Sequence, residues 1–271
     1  MREITDIKEI QNELFGALCY FDDLCRAEGL RYVLSNGTLL GAAKYRSFVP
    51  WDDDVDVLMP REDYNKLMVL ASVSNARYKL FCREQVPEWR MPYAKLSCEN
   101  TLICEGDFDF GAQFGVAVDI FPIDGWGNSL IISKIKAFRS ECLKRLMVAS
   151  IGKDFATRKK GIKRFILKMI WVRGKKLGHE RVRKRILGGT NNAKRCKYSG
   201  CRVWTSHLTK EIFPSEYFER FSELEFCSRR FPVIEKYERY LDSLYGDWRP
   251  ELPPERCHSN HEIRVWYRNE E

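Results

Sequence analysis

Ser35 to Met59 read SNGTLLGAAKYRSFVPWDDDVDVLM, placing an Asn-Gly turn and four carboxylates within twenty-five residues. Asp52, Asp53, Asp54 and Asp56 run into Val55, Val57, Leu58 and Met59, a β-branched, apolar setting that favours a strand, and Pro60 ends it. A strand beginning at or before Asp52 puts Asp52, Asp54 and Asp56 on one face and Asp53, Val55 and Val57 on the other. Carboxylates on that face stand roughly 6 to 7 Å apart at a rise of about 3.3 Å per residue. Three bare anions so placed raise one another's pKa unless cations compensate. Hard oxygen donors of this kind select Mg2+ or Mn2+, with substrate phosphates completing the shell. A solvated acidic strand end is the bland alternative.

Working upstream, Arg31–Ser35 reads as a short strand and Thr38–Tyr45 as a helix, joined at Asn36-Gly37. Glycine allows a positive φ and close backbone approach, and amides at a helix start face an anion, so Gly37 and Thr38 are candidate phosphate contacts. An ordinary strand-to-helix turn has the same residues. Ile4, Ile7, Ile10, Leu14, Leu18, Phe21, Leu24 and Cys25 predict an amphipathic helix over residues 3–28 that Gly29 stops. Residues 61–73 read as a further helix, and 78–104 as strands. In Val116–Asp124 (VAVDIFPID), Asp119 is embedded among apolar strand residues, where a lone carboxylate is costly to bury. Asp124-Gly125 reads as the turn that closes this strand.

The order of glycine turn, short helix and Asp-x-Asp strand is that of the polymerase-beta type of nucleotidyltransferase fold. More narrowly, GTLLGAAKYRSFVPWDDDVDV resembles the LicD family of phosphocholine transferases and their fukutin-like relatives. The resemblance covers residues 30–125 and 210–257. It implies an α+β fold with a mixed, nucleotidyltransferase-like sheet flanked by helices. It implies Asp119 as the third acidic residue beside Asp54 and Asp56, with Asp52 a further metal ligand. Lys95 and Thr101 match residues of the family pattern, and Lys44 stands where the family usually has arginine. The implied reaction is metal-dependent transfer of phosphocholine, or a related alcohol phosphate, from CDP-choline or another CDP-alcohol to a hydroxyl of a glycan or lipid-linked glycan. Teichoic acid precursors and lipopolysaccharide cores are compatible acceptors. Trp51, Trp89, Tyr93 and Trp126 are near enough in sequence to the acidic strands to form a cation-π cage for a quaternary ammonium.

Residues 131–200 differ from the rest of the chain. They hold 22 Lys or Arg and three acidic residues, a net +19, so the remainder carries −11 of the total +8. Bulky apolar residues alternate with these cations at helical spacing, the pattern of interfacial helices. We therefore divide the chain into a catalytic core (1–128), a basic amphipathic helical insert (129–207) and a C-terminal region packing on the core (208–271). The insert is expected to meet an anionic membrane surface and not nucleic acid, for which no motif accompanies the charge. In the C-terminal region, Pro232 is expected in the first turn of a helix, while Tyr237, Tyr240, Leu241, Leu244 and Tyr245 form a packing stripe.

With 271 residues and 44% hydrophobic content, the chain can bury a substantial core. The N-terminus has no apolar signal core and no segment suits a bilayer span, so the expected location is cytoplasmic, peripheral on the inner face of the membrane. Ten irregularly spaced cysteines read as reduced thiols. Neither Cys196, Cys201 and His207 nor Cys257, His258 and His261 matches a zinc spacing well. Two rivals stay open: a nucleotidyltransferase acting on a sugar or small-molecule acceptor, and a non-catalytic membrane- or nucleic-acid-binding protein.

Overall fold

A computed structural model describes residues 1–155, 157, 159–190, 196–251 and 263–268. The fold is α+β. A short strand, β1 (Arg2–Ile4), precedes helix α1 (Ile7–Ala27), so the opening helix starts later than its apolar spacing suggests. Asp6 sets that start by accepting from the Lys8 amide, satisfying one of the orphan donors of the first turn. Leu14, Ala17, Leu18 and Phe21 are fully buried on the inner face of α1.

The central mixed sheet has the order β2–β3–β7–β5–β4, formed by Val33–Leu34, Val55–Pro60, Ala117–Gly127, Ala94–Cys98 and Tyr78–Phe81 respectively. Strands β3 and β7 are parallel, while β2, β4 and β5 pair antiparallel. β7 also bears β8 (Tyr198–Cys201) along Ile123–Gly127, and β8 in turn pairs β9 (Phe213–Pro214). The near-continuous apolar text of β3 and β7 is what a strand buried on both faces requires. Strand β7 runs straight through Asp124 and Gly125, which are therefore not a turn: β8 supplies pairing partners for that stretch.

Helix α2 (Asn36–Tyr45) joins β2 to β3, and α3 (Arg61–Val69) follows β3. The helix expected through Val73 stops at Val69, with a separate 3-10 turn at Ala71–Val73. Strand β6 (Thr101–Glu105) leaves the central sheet to pair β12 (Ile263–Tyr267), which also pairs β1. Three helices follow β7: α4 (Leu130–Ile151), α5 (Gly161–Leu177) and α6 (His179–Leu187). Gly174 lets α5 touch α4, since a Cβ there would meet Ala149 Cβ and the backbone of Leu146 and Ser150.

Strands β10 (Phe221–Phe226) and β11 (Arg229–Ile234) form a separate hairpin. Pro232 lies within β11, opposite Glu223, and not in a helix. Each strand of a two-stranded ribbon has one unpaired edge, and proline is accommodated where its nitrogen faces that edge. The tyrosine-rich stripe is helical in α7 (Tyr237–Tyr245), where Tyr240, Leu241 and Leu244 are buried. Pro253-Pro254 and Cys257, His258 and His261 lie outside the described residues.

Candidate active site

The sheet register assembles the site. Asp56 on β3 pairs with Asp119 on β7, and Asp119 pairs with Lys95 on β5. Side chains of paired residues share a face, so two carboxylates and an ammonium meet across three neighbouring strands. Lys95 Nζ lies 2.5 Å from Asp119 Oδ1, with both side chains nearly buried. Burial works against the Lys95 ammonium, but Asp119 and then Glu105 more than offset it and hold the charge. Burial raises Asp119 to about 6 despite Lys95, with Asp54 adding repulsion. Asp56 is raised well above the ordinary carboxylate range, first by burial and next by Asp54.

The strand does not reach back to Asp52. β3 begins at Val55, and Asp52, Asp53 and Asp54 precede it in non-strand backbone. Strict alternation therefore fails there: Asp53 joins Asp52 and Asp54, with one oxygen from each lying within 4.8 Å of the others. Gln11 on α1 pins this stretch by donating to the carbonyls of Asp52 at 2.9 Å and Val49 at 3.3 Å. Among the described residues no cysteine-histidine group of metal-binding geometry exists; this aspartate group alone has it.

The start of α2 braces Asp56. Asn36 Nδ2 donates to Asp56 Oδ2 at 3.0 Å, and the Asp56 amide donates to Thr38 Oγ1 at 2.8 Å. Tyr240 hydroxyl lies 3.5 Å from Asn36 Oδ1. The left-handed residue of the turn is Asn36, at φ 45°, not Gly37. Gly37 serves close approach: a Cβ there would run into Asp52 Oδ2. Thr38 thus supports the Asp56 backbone, a different role from contacting phosphate through its hydroxyl.

Asp53, Asp54, Asp56, Lys95 and Asp119 line one cavity of about 170 Å3. Tyr93, Phe108, Phe110, Phe114, Phe121 and Trp204 also line it, and Glu105 adds a further carboxylate. The Lys95 ammonium lies 5.4 Å from the Phe114 ring centroid and 5.7 Å from that of Tyr93. Of the four aromatics expected as a cage, Tyr93 alone lines this cavity. Trp89 and Trp126 are fully buried; Trp89 packs on Phe81, Phe110 and Phe114 and donates to the Tyr93 carbonyl. Trp51 sits in the turn before Asp52, outside the lining. Lys44 is likewise not brought to the cavity, because its ammonium is held by the carbonyls of Pro250 at 2.5 Å and Trp248 at 3.4 Å.

Several lining residues escaped the sequence reading. Glu105, Phe110, Phe114 and Trp204 come from β6, the stretch after it and the 202–206 segment, with no shared spacing, and only the tertiary fold gathers them. Asp124 is not part of the cavity: fully buried, it takes a two-pronged ion pair from Arg61, Nε at 2.9 Å and Nη2 at 2.6 Å. Thr101 is also structural, bonding the Cys98 carbonyl and the Val116 amide.

Residues 29–130 match the family model described as LicD/FKTN/FKRP, nucleotidyltransferase domain. Over nearly its whole length the chain is similar to the lipopolysaccharide cholinephosphotransferase LicD of Haemophilus influenzae, 29% identical across 98% of this chain and 99% of the relative. The matched segment contains every strand that contributes a carboxylate or Lys95 to the cavity. Residues 29–130 are thus similar to the nucleotidyltransferase domain of LicD-type proteins.

Proposed function

We propose that the protein transfers phosphocholine from a CDP-activated donor to a hydroxyl of a cell-surface glycan or its lipid-linked precursor, in a reaction that needs Mg2+ or Mn2+. The observation that carries this reading is the convergence of Asp54, Asp56, Asp119 and Lys95 on one cavity that aromatic side chains also line. The similarity to a lipopolysaccharide cholinephosphotransferase supports choline as the alcohol.

The donor chemistry suits a divalent cation: Asp52 and Asp54 belong to the close carboxylate group with Asp53, and Asp56 and Asp119 are the paired carboxylates of β3 and β7. Asp52, Asp54, Asp56 and Asp119 offer only hard oxygens. Asp56 and Asp119 are held above the ordinary carboxylate range, a state that a cation among them relieves. A divalent ion held by these residues would supply charge neutralisation for the diphosphate. Lys95 presents a fixed ammonium toward the transferring phosphate. Asp119 is the carboxylate assigned to take the proton of the acceptor hydroxyl. The acceptor oxygen forms its bond to the choline-bearing phosphorus as the bond to the nucleotide phosphate breaks, and cytidine monophosphate leaves with that electron pair. Tyr93, Phe114 and Trp204, with Glu105, suit a quaternary ammonium: rings for the cation face and a carboxylate for its charge.

The test is mass spectrometry of protein incubated with lipopolysaccharide, Mg2+ and CDP-choline, CDP-ribitol or CDP-glycerol, with and without EDTA. EDTA-sensitive release of cytidine monophosphate from CDP-choline, with phosphocholine on the acceptor, is expected. A Trp204→Ala variant should raise KM for CDP-choline more than for CDP-ribitol. A gain of nucleotide mass on the acceptor would establish nucleotidyl transfer, and the absence of turnover with every donor would refute the reading.

A further inference from the structure

Helices α4 and α5 are amphipathic in the inverted sense. On α4, Ser133 and Ala137 are fully buried, while Ile131, Ile135 and Phe138 are exposed. At 100° per residue the exposed row lies opposite the buried one. On α5 the buried or half-buried positions are Leu167, Ile170, Trp171, Gly174 and Leu177. The outward arc of about 120° carries Ile162, Phe165, Ile166, Met169 and Val172, with the exposed cations Arg173 and Lys176 at its C-terminal end. Side chains on these two outward rows are between 49% (Val172) and 74% (Ile131) exposed. A solvated helix would place its cations outward and its apolar residues inward, and an exposed apolar surface of this extent marks an interaction site.

Charge identifies the occupant. Lys163, Arg164 and Lys168 on α5 and Lys134 and Arg139 on α4 are exposed beside the apolar rows. α5 contains no acidic residue, and residues 131–200 carry a net +19. Large apolar side chains rimmed by cations match an anionic lipid interface, where the apolar face enters the acyl boundary and the cations meet headgroups. No helix among the described residues is long and apolar enough to cross a membrane, so contact through these rows would be in the plane of the surface. A second cavity of about 570 Å3 lies between α4 and α5 and shares Glu105, Phe108 and Val148 with the carboxylate-lined cavity. That cavity is lined by Leu167, Ile170 and Trp171 on the inward side of α5, so the outward rows lie on the face of α5 away from it.

We propose that Ile131, Ile135 and Phe138 of α4, with Ile162, Phe165, Ile166, Met169 and Val172 of α5, form a surface that inserts into the headgroup region of an anionic bilayer. The full-length protein is sedimented with sucrose-loaded vesicles of phosphatidylcholine, alone or with 30 mol% phosphatidylglycerol, at about 50 and 500 mM salt. Binding to the anionic vesicles should exceed binding to neutral ones at least about tenfold and weaken at high salt. Combined Phe138→Gln, Phe165→Gln and Met169→Gln should cut binding at least about tenfold at both salt concentrations, because apolar insertion is not screened. Combined Lys163→Glu and Lys168→Glu should weaken only low-salt binding. All five side chains are exposed, so melting temperatures should match the wild type. Absence of vesicle binding by the wild type, or equal binding by the glutamine variant, would overturn the proposal. So would a wild-type dimer in sedimentation velocity that the glutamine substitutions dissociate, since a second copy would then cover the face. No readout here requires turnover, so failure of the transferase reading would leave these outcomes interpretable.

Discussion

Gly37→Ala separates stability from function at a single atom. Gly37 lies in the first turn of α2, and its φ is not in the left-handed region, so alanine is permitted there. Helix propensity favours the change by up to about 1 kcal/mol. The added methyl, however, would stand about 1 Å inside ordinary van der Waals contact with Asp52 Oδ2, and 3.4 Å from Asp52 Cγ. The methyl is fixed on the helix, whereas a carboxylate can rotate, so Asp52 is the group that moves. Displacing a ligand by that distance costs on the order of 100-fold in rate when reacting groups must be aligned. The expected variant melts within about 2 °C of the wild type, binds Mg2+ more weakly by calorimetry, and releases cytidine monophosphate from CDP-choline about 100-fold more slowly. Unchanged turnover and Mg2+ affinity in a folded Gly37→Ala protein would refute both the close-approach role of Gly37 and the placement of Asp52 in the ion site.

Asp54→Asn and Asp56→Asn should each lower turnover at least about 100-fold while leaving the fold intact by circular dichroism; near-normal turnover in both would remove the carboxylates from the mechanism. Arg61→Met strands Asp124, which is fully buried, and should cost about 3–5 kcal/mol in urea unfolding. Adding Asp124→Leu should recover most of that loss, and a double variant no better than the single one would contradict the pairing. Burial pushes Glu211 from 4.5 up to about 7 against the backbone amides of His207 and Ser206 that bond it. Between these values the folded chain keeps a proton that the unfolded chain has lost, so stability falls as pH rises through the window, by at most roughly 3 kcal/mol. Urea midpoints at pH 5 and pH 8 should therefore differ less in Glu211→Gln than in the wild type, and an equal difference would place the titration elsewhere.

Local text carried the strands and helices whose apolar periodicity reflects burial. β3 from Val55, the apolar run around Asp119, α2 and the tyrosine stripe of α7 all follow from residue type and spacing. The stretch Asp52–Asp54 did not follow, because alternation holds only while a strand continues, and what ends it is the packing of Gln11 and Gly37 against the loop. Pro232 was misplaced for a similar reason: whether a proline opens a helix or sits on an edge depends on what pairs beside it.

The sequence by itself determined that Asp56 and Asp119 stand in strongly apolar strand text, and the resemblance to the LicD family implied that they share one centre. Tertiary structure alone decided their company. Register across β3, β7 and β5 sets Lys95 beside Asp119, packing draws Glu105, Phe114 and Trp204 into the same cavity, and Lys44 is turned to the 248–250 carbonyls. It also decided which side of α4 and α5 faces outward. Periodicity defines an apolar row on a helix, but only contact with the rest of the molecule says whether that row is core or surface.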